Sequence, residues 1–94
     1  MTFDGQDFKI FTGQATLDFP SIGSNATETL TMTVSGATVG DSVALGPPAA
    51  IEAGLTWAGV VTAADTVTIR LHNRTGGAID PASATWRATV IEYV

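Results

Sequence analysis

The chain has 94 residues, enough for one domain that buries roughly 60 to 70% of its unfolded surface and needs no second core. Its formal charge is −5, and its only basic residues are Lys9, Arg70, Arg74 and Arg87, scattered so that no stripe forms to neutralise phosphates; nucleic-acid binding is not expected on that ground. Cysteine is absent, which removes disulfides, thiolate metal sites and thiol nucleophiles together and leaves packing as the stabilising device.

Charged residues make up 14% of the chain and hydrophobic ones 45%, against about 25% charged in an ordinary soluble domain. A small monomer must expose much of its sequence, so this deficit points to an exterior partly covered by other copies or by a partner. The competing explanation is that Thr and Ala solvate a β-surface without charges. The start, Met1-Thr2-Phe3-Asp4, carries acid where a secretory signal needs base, and no run approaches the ~20 apolar residues of a membrane span. The expectation is a chain made in the cytoplasm with no membrane partner.

Taken in order, residues 1–13 stand apart. Phe3, Phe8, Ile10 and Phe11 lie among Asp4, Gln6, Asp7 and Lys9 without sustained alternation. Two readings fit: an arm whose aromatic side chains dock on a neighbour, or an irregular first strand packed on its own sandwich. Residues 14–94 read as the domain proper. Gln14 to Phe19 alternates as a strand, with Ala15, Leu17 and Phe19 on one face, and Pro20 stops it. After a loop from Ser21 to Ala26, Thr27 to Ser35 places Leu30, Met32 and Val34 inward and Thr29, Thr31, Thr33 and Ser35 outward, where β-branched Thr suits a pleated, wet face.

Gly36 to Asp41 is a turn segment, with glycines for positive φ and Asp41 to bind nearby amides. Ser42 to Leu45 resumes as a strand until Gly46-Pro47-Pro48 breaks it, and Ala49 to Gly54 is either a helical turn or an irregular corner. Leu55 to Ala63 and Thr66 to His72 form a hairpin about Ala64-Asp65, the second strand pointing Val67, Ile69 and Leu71 inward. A loop from Asn73 to Ser83 leads to the last strand, Ala84 to Val94. There Trp86, Ala88 and Val90 share one face, and Ile91 and Tyr93 make the other face apolar near the end. A strand apolar on both sides at its end is expected where a subunit interface or the N-terminal segment lies over it. The expected fold is therefore all-β: a single antiparallel β-sandwich, jelly-roll-like, of about 6–8 short strands with an N-terminal arm. The candidate interface residues are Phe3, Phe8, Ile10, Phe11, Ile91 and Tyr93.

Residues for chemistry are sparse. His72, Asp18, Asp41, Asp65, Asp80, Glu28, Glu52 and Glu92 fall into no catalytic or metal-ligand spacing, so no catalytic residue, metal or cofactor is assigned and no enzyme is expected. Loop carboxylates such as Asp41 and Asp80 are the type that holds calcium, and equally the type that makes turns. Asn25-Ala26-Thr27 and Asn73-Arg74-Thr75 match the glycosylation acceptor pattern and read as loop asparagines. Trp57 and Trp86 fall on inward positions; exposed, they would stack on sugars.

Two stretches carry a resemblance: Ser35-Gly36-Ala37-Thr38-Val39-Gly40-Asp41-Ser42-Val43, and Asp65-Thr66-Val67-Thr68-Ile69-Arg70-Leu71-His72-Asn73 continuing through Gly77-Ala78-Ile79-Asp80-Pro81-Ala82-Ser83 to Trp86-Arg87. Over residues 35–90 the chain resembles small all-β structural proteins and fibre modules of tailed bacteriophages, with a GA.VGD.V turn, a TV.IRL.N strand and a DPAS..W loop. The resemblance implies a virion protein, foremost a capsid decoration (cement) protein that forms a homotrimer on the major capsid protein at the capsid surface after synthesis in the bacterial host. The alternative it implies is a receptor- or glycan-binding module of a head or tail fibre, with contacts from the loops Ser21 to Ala26 and Asn73 to Ser83. No catalytic residues come with it, and Met1 to Gly13 lies outside the matching region.

Overall fold

A computed structural model describes residues 2–3 and 5–94, the side chains of Thr2, Phe3 and Gln6 excepted. Its strands are β1 (Thr2–Phe3), β2 (Gln6–Leu17), β3 (Thr27–Thr33), β4 (Ser42–Gly46), β5 (Leu55–Ala63), β6 (Thr66–Asn73) and β7 (Ala84–Tyr93). They form two antiparallel sheets, one ordered β1-β2-β7-β4 and the other β3-β6-β5. Among the described residues there is no helix. The β-sandwich read from the alternating runs is the fold observed.

Apart from the two-residue β1, β2 pairs with β7 and β3 with β6, so the two halves of the chain run back along each other. The innermost strands, β4 and β5, face one another across the sandwich instead of sharing a ladder. That nesting is jelly-roll order in its shortest form. It brings the sheets together along two seams, β2 against β3 and β4 against β5, and a glycine sits at each. A Cβ on Gly13 would lie 2.8 Å from the Thr33 carbonyl oxygen, and one on Gly59 would lie 2.9 Å from both Leu45 Cγ and Val43 Cγ1.

The core fills the space between. Val67, Ile69 and Leu71 of β6 are fully buried, with Met32 and Val34 from the β3 side, Leu55 and Val61 from β5, and Trp86, Ala88 and Val90 from β7. Strand β2 ends at Leu17, short of Phe19, yet the Phe19 ring is buried and meets Trp86 edge-on at 5.8 Å. The corner left open from Ala49 to Gly54 is a pair of turns, the first closed by a bond from the Ile51 amide to the Pro48 carbonyl.

Outward, β3, β5 and β6 present a field of hydroxyls. Thr31 and Thr68 pair across strands, as do Thr33 and Thr66, and Thr62 Oγ1 lies 2.7 Å from Thr68 Oγ1. Part of the low charge content is explained here, since each hydroxyl both donates and accepts.

Strand β2 departs from the sequence reading at its start. It begins at Gln6, runs unbroken through Gly13 and pairs with β7 from Phe8↔Tyr93 to Leu17↔Ala84, so residues 6–13 belong to the sheet. The ribbon of β2 and β7 also outruns its neighbours: β4 reaches no further than Ser42 opposite Ile91. The molecule measures 47 × 23 × 22 Å, with a radius of gyration of 14.4 Å. A compact chain of this length would have about 12 Å.

Candidate functional site

The projecting ribbon is built from a reversal of polarity. Within the sandwich, β2 turns Phe11, Ala15 and Leu17 toward the core, and β7 turns Val90, Ala88 and Trp86. At the next rung, Ile10 opposite Ile91, the apolar side chains change face on both strands. Side chains alternate along a strand, so Ile10 and Phe8 of β2, with Ile91 and Tyr93 of β7, point to the outer face. Asp7 and Lys9 continue the core side, where both are exposed because the second sheet no longer covers them. Phe8 stands directly across from Tyr93, and Ile10 across from Ile91, within reach of mutual contact.

An apolar cluster results on the outside of the molecule. Ile10 is 47% exposed and Tyr93 59%, while Phe8 and Ile91 are half-buried. Beyond them the outer face becomes polar through Thr12 and Thr89, then Gln14 and Arg87, which floor a shallow depression. Of the residues predicted for an interface, the fold thus brings together Phe8, Ile10, Ile91 and Tyr93. Phe11 is a correction: it falls on the opposite face, one residue past the reversal, and packs against the core. The side chain of Phe3 lies outside the described residues.

Most of the candidate titratable side chains are dispersed, and several serve as ties. Asp65 Oδ1 accepts from the Gly36 amide at 2.8 Å, and its own amide donates to the Ala37 carbonyl at 2.9 Å, locking the β5–β6 turn to the segment before β4. Asp41 Oδ2 accepts from the Thr38 amide at 2.9 Å within its turn, and Glu52 Oε2 from the Ala82 amide at 3.3 Å. His72 lies on the outer face of β6, its Nδ1 sharing a 2.9 Å hydrogen bond with the Thr27 hydroxyl across the strand. Among the described residues, no group of three or more His, Cys, Asp or Glu could hold a metal ion.

Asn73 is the second correction. It ends β6 instead of opening a loop, and it is fully buried. Its Nδ2 donates to the carbonyls of Ile22 at 2.9 Å and Gly77 at 2.7 Å, and its Oδ1 accepts from the Thr75 amide at 2.9 Å and hydroxyl at 2.7 Å. The loops flanking it are zipped together: Ile22 and Ile79 exchange backbone bonds at 2.7 and 2.9 Å, and Ser24 Oγ donates to the Thr75 carbonyl at 2.6 Å. A side chain so fully engaged is no glycosylation acceptor in the folded chain.

The two tryptophans separate. Trp86 is buried, as its parity predicts, whereas Trp57 on the same inward register is 40% exposed. The facing strand ends at Gly46, before Pro47-Pro48, and the Trp57 ring is left partly open to solvent. The signal was present in the proline pair, but only the topology shows which strand it uncovers. Comparison with protein-family models, with curated proteins and with solved structures finds no match to this chain.

Proposed function

We propose that the chain is a structural protein of a bacteriophage virion, a capsid decoration protein that assembles as a trimer on the capsid surface and stabilises the shell. The observation that carries this reading is the polarity reversal at the Ile10–Ile91 rung, which puts an apolar cluster on the outer face of a projecting ribbon. A monomer gains only the cross-strand contacts of such a cluster and leaves much of its carbon in water; association hides the rest. The motif resemblance over residues 35–90 supplies the virion context, and the jelly-roll-ordered sandwich is an architecture that capsid proteins use. In this reading the ribbon makes the contacts among copies and with the major capsid protein, and many weak attachments add through avidity over the lattice.

The test mixes the purified protein with undecorated shells from the phage that encodes it and follows bound mass and shell stability to heat. Wild type binds and raises the temperature at which shells open; Ile10→Glu and Tyr93→Asp, substitutions at exposed positions that leave the monomer folded, reduce binding at least about tenfold by placing unpaired charge in the contact. A chain that stays monomeric at high concentration and ignores the shells refutes the reading.

A further inference from the structure

Trp57 is held as a platform. Its ring meets the buried Trp86 edge to face, with centroids 6.3 Å apart and planes at 75°, and Trp86 is braced in turn by Phe19 at 5.8 Å. A ring locked by such a chain of contacts keeps its exposed part in one orientation. Beside it opens a concavity of about 380 Å³ lined by Leu55, Thr56, Trp57 and Arg74. The Arg74 amide donates to the Gly54 carbonyl at 3.0 Å, so the segment after β6 is fixed next to the start of β5. Among the described residues no carboxylate pairs with the Arg74 guanidinium.

We propose that this concavity binds a saccharide, specifically a pyranose carrying a carboxylate, such as a uronic or sialic acid. Each element of the recognition is present. The C–H face of a sugar ring is apolar and covers an aromatic ring well, while the sugar's edge keeps its hydroxyls in water or on protein groups. Arg74 offers the planar fork of donors that matches a carboxylate, the partner it lacks within its own chain. The site is shallow and open, as suits the end or a branch of a longer glycan. It lies on the β5 edge, on residues distinct from the ribbon cluster, and does not depend on the assembly reading.

The experiment titrates the protein with free glucuronic acid and N-acetylneuraminic acid, and with glucose and galactose as neutral counterparts, following tryptophan emission. Trp57 is the exposed fluorophore and Trp86 the buried one, so a bound sugar shifts emission to the blue. The acidic sugars are expected to give a saturable shift and to bind about tenfold more tightly than the neutral ones. Arg74→Gln should bring the two classes to near parity with an unchanged thermal midpoint. Trp57→Ala, followed by chemical-shift titration, should lose binding of both. The proposal is overturned by no saturable response to any sugar, by equal binding of acidic and neutral sugars to the wild type, or by binding that survives Trp57→Ala. It is equally overturned if emission changes with protein concentration in the absence of sugar, which would make Trp57 part of a contact between copies.

Discussion

Asn73 takes the inward position that follows Val67, Ile69 and Leu71 along β6, and it does there what an apolar residue cannot. Two loop segments, one at Ile22 and one at Thr75 to Gly77, deliver backbone groups to the end of the core, and the carboxamide, with two donors and a two-lone-pair oxygen, satisfies them together. Removing it strands buried polar groups at a cost greater than the bonds' net worth. Asn73→Ala should therefore destabilise by about 3 kcal/mol, lowering the thermal midpoint by more than about 10 °C. Asn73→Leu, which keeps the volume, should be no better, and Asn73→Asp should also fail because it turns an acceptor toward two carbonyls. Urea unfolding of the three variants checks this, and a near-neutral Leu variant would show that packing alone matters here. In the sequence this residue reads as a loop asparagine inside an acceptor-like tripeptide. Its parity with Leu71 marks the inward direction, and Thr75 and Gly77 are local partners, but the Ile22 carbonyl comes from far away in the chain and only the fold brings it there.

Strands were the most legible level, because a half-buried strand writes its two environments into alternate residues. The β5–β6 hairpin and the inward sets of β3 and β7 follow directly from that pattern. The first strand was obscured by the same rule: Phe8 and Ile10 obey one phase, Phe11 and Ala15 the other, so a continuous strand that changes its buried face looks like irregular chain. The seams were invisible for a different reason, since a glycine in a strand does not say what approaches it. Here the two seams differ in what an added methyl would strike. At Gly13 the nearest atom is the backbone oxygen of Thr33, which cannot step aside without moving β3; at Gly59 the nearest atoms are side-chain carbons of Val43 and Leu45, which yield by a change of rotamer with the backbone left in place. Gly13→Ala should cost about 2–3 kcal/mol and Gly59→Ala about 1 kcal/mol, within the range for overpacking. Equilibrium denaturation of both variants measures the difference, and the opposite ranking would mean that the β4–β5 seam is the tighter one.

At the scale of the whole molecule, two exteriors account for the scarcity of charge, and they behave differently in solution. The threonine field over β3, β5 and β6 is wet and self-sufficient, while the ribbon face around Ile10 and Tyr93 exposes carbon. If association proceeds through the ribbon, its driving force is the removal of apolar surface from water, and its response to conditions is set by that. The force weakens on cooling and strengthens in sulfate, which is excluded from protein surface. Ion pairing would respond the other way to added salt, since screening weakens it, and with a net charge of −5 the copies repel one another at low ionic strength. Sedimentation velocity should accordingly show oligomers that grow in population from about 5 to 25 °C and with added ammonium sulfate, with a negative heat-capacity change of association by dilution calorimetry. Ile10→Glu should abolish all of these dependences together, because it removes the common cause. Oligomers that persist in that variant, or that dissociate as sulfate is raised, would place the contact on polar surface, and the reversal at the Ile10–Ile91 rung would then be a feature of the ribbon's own packing.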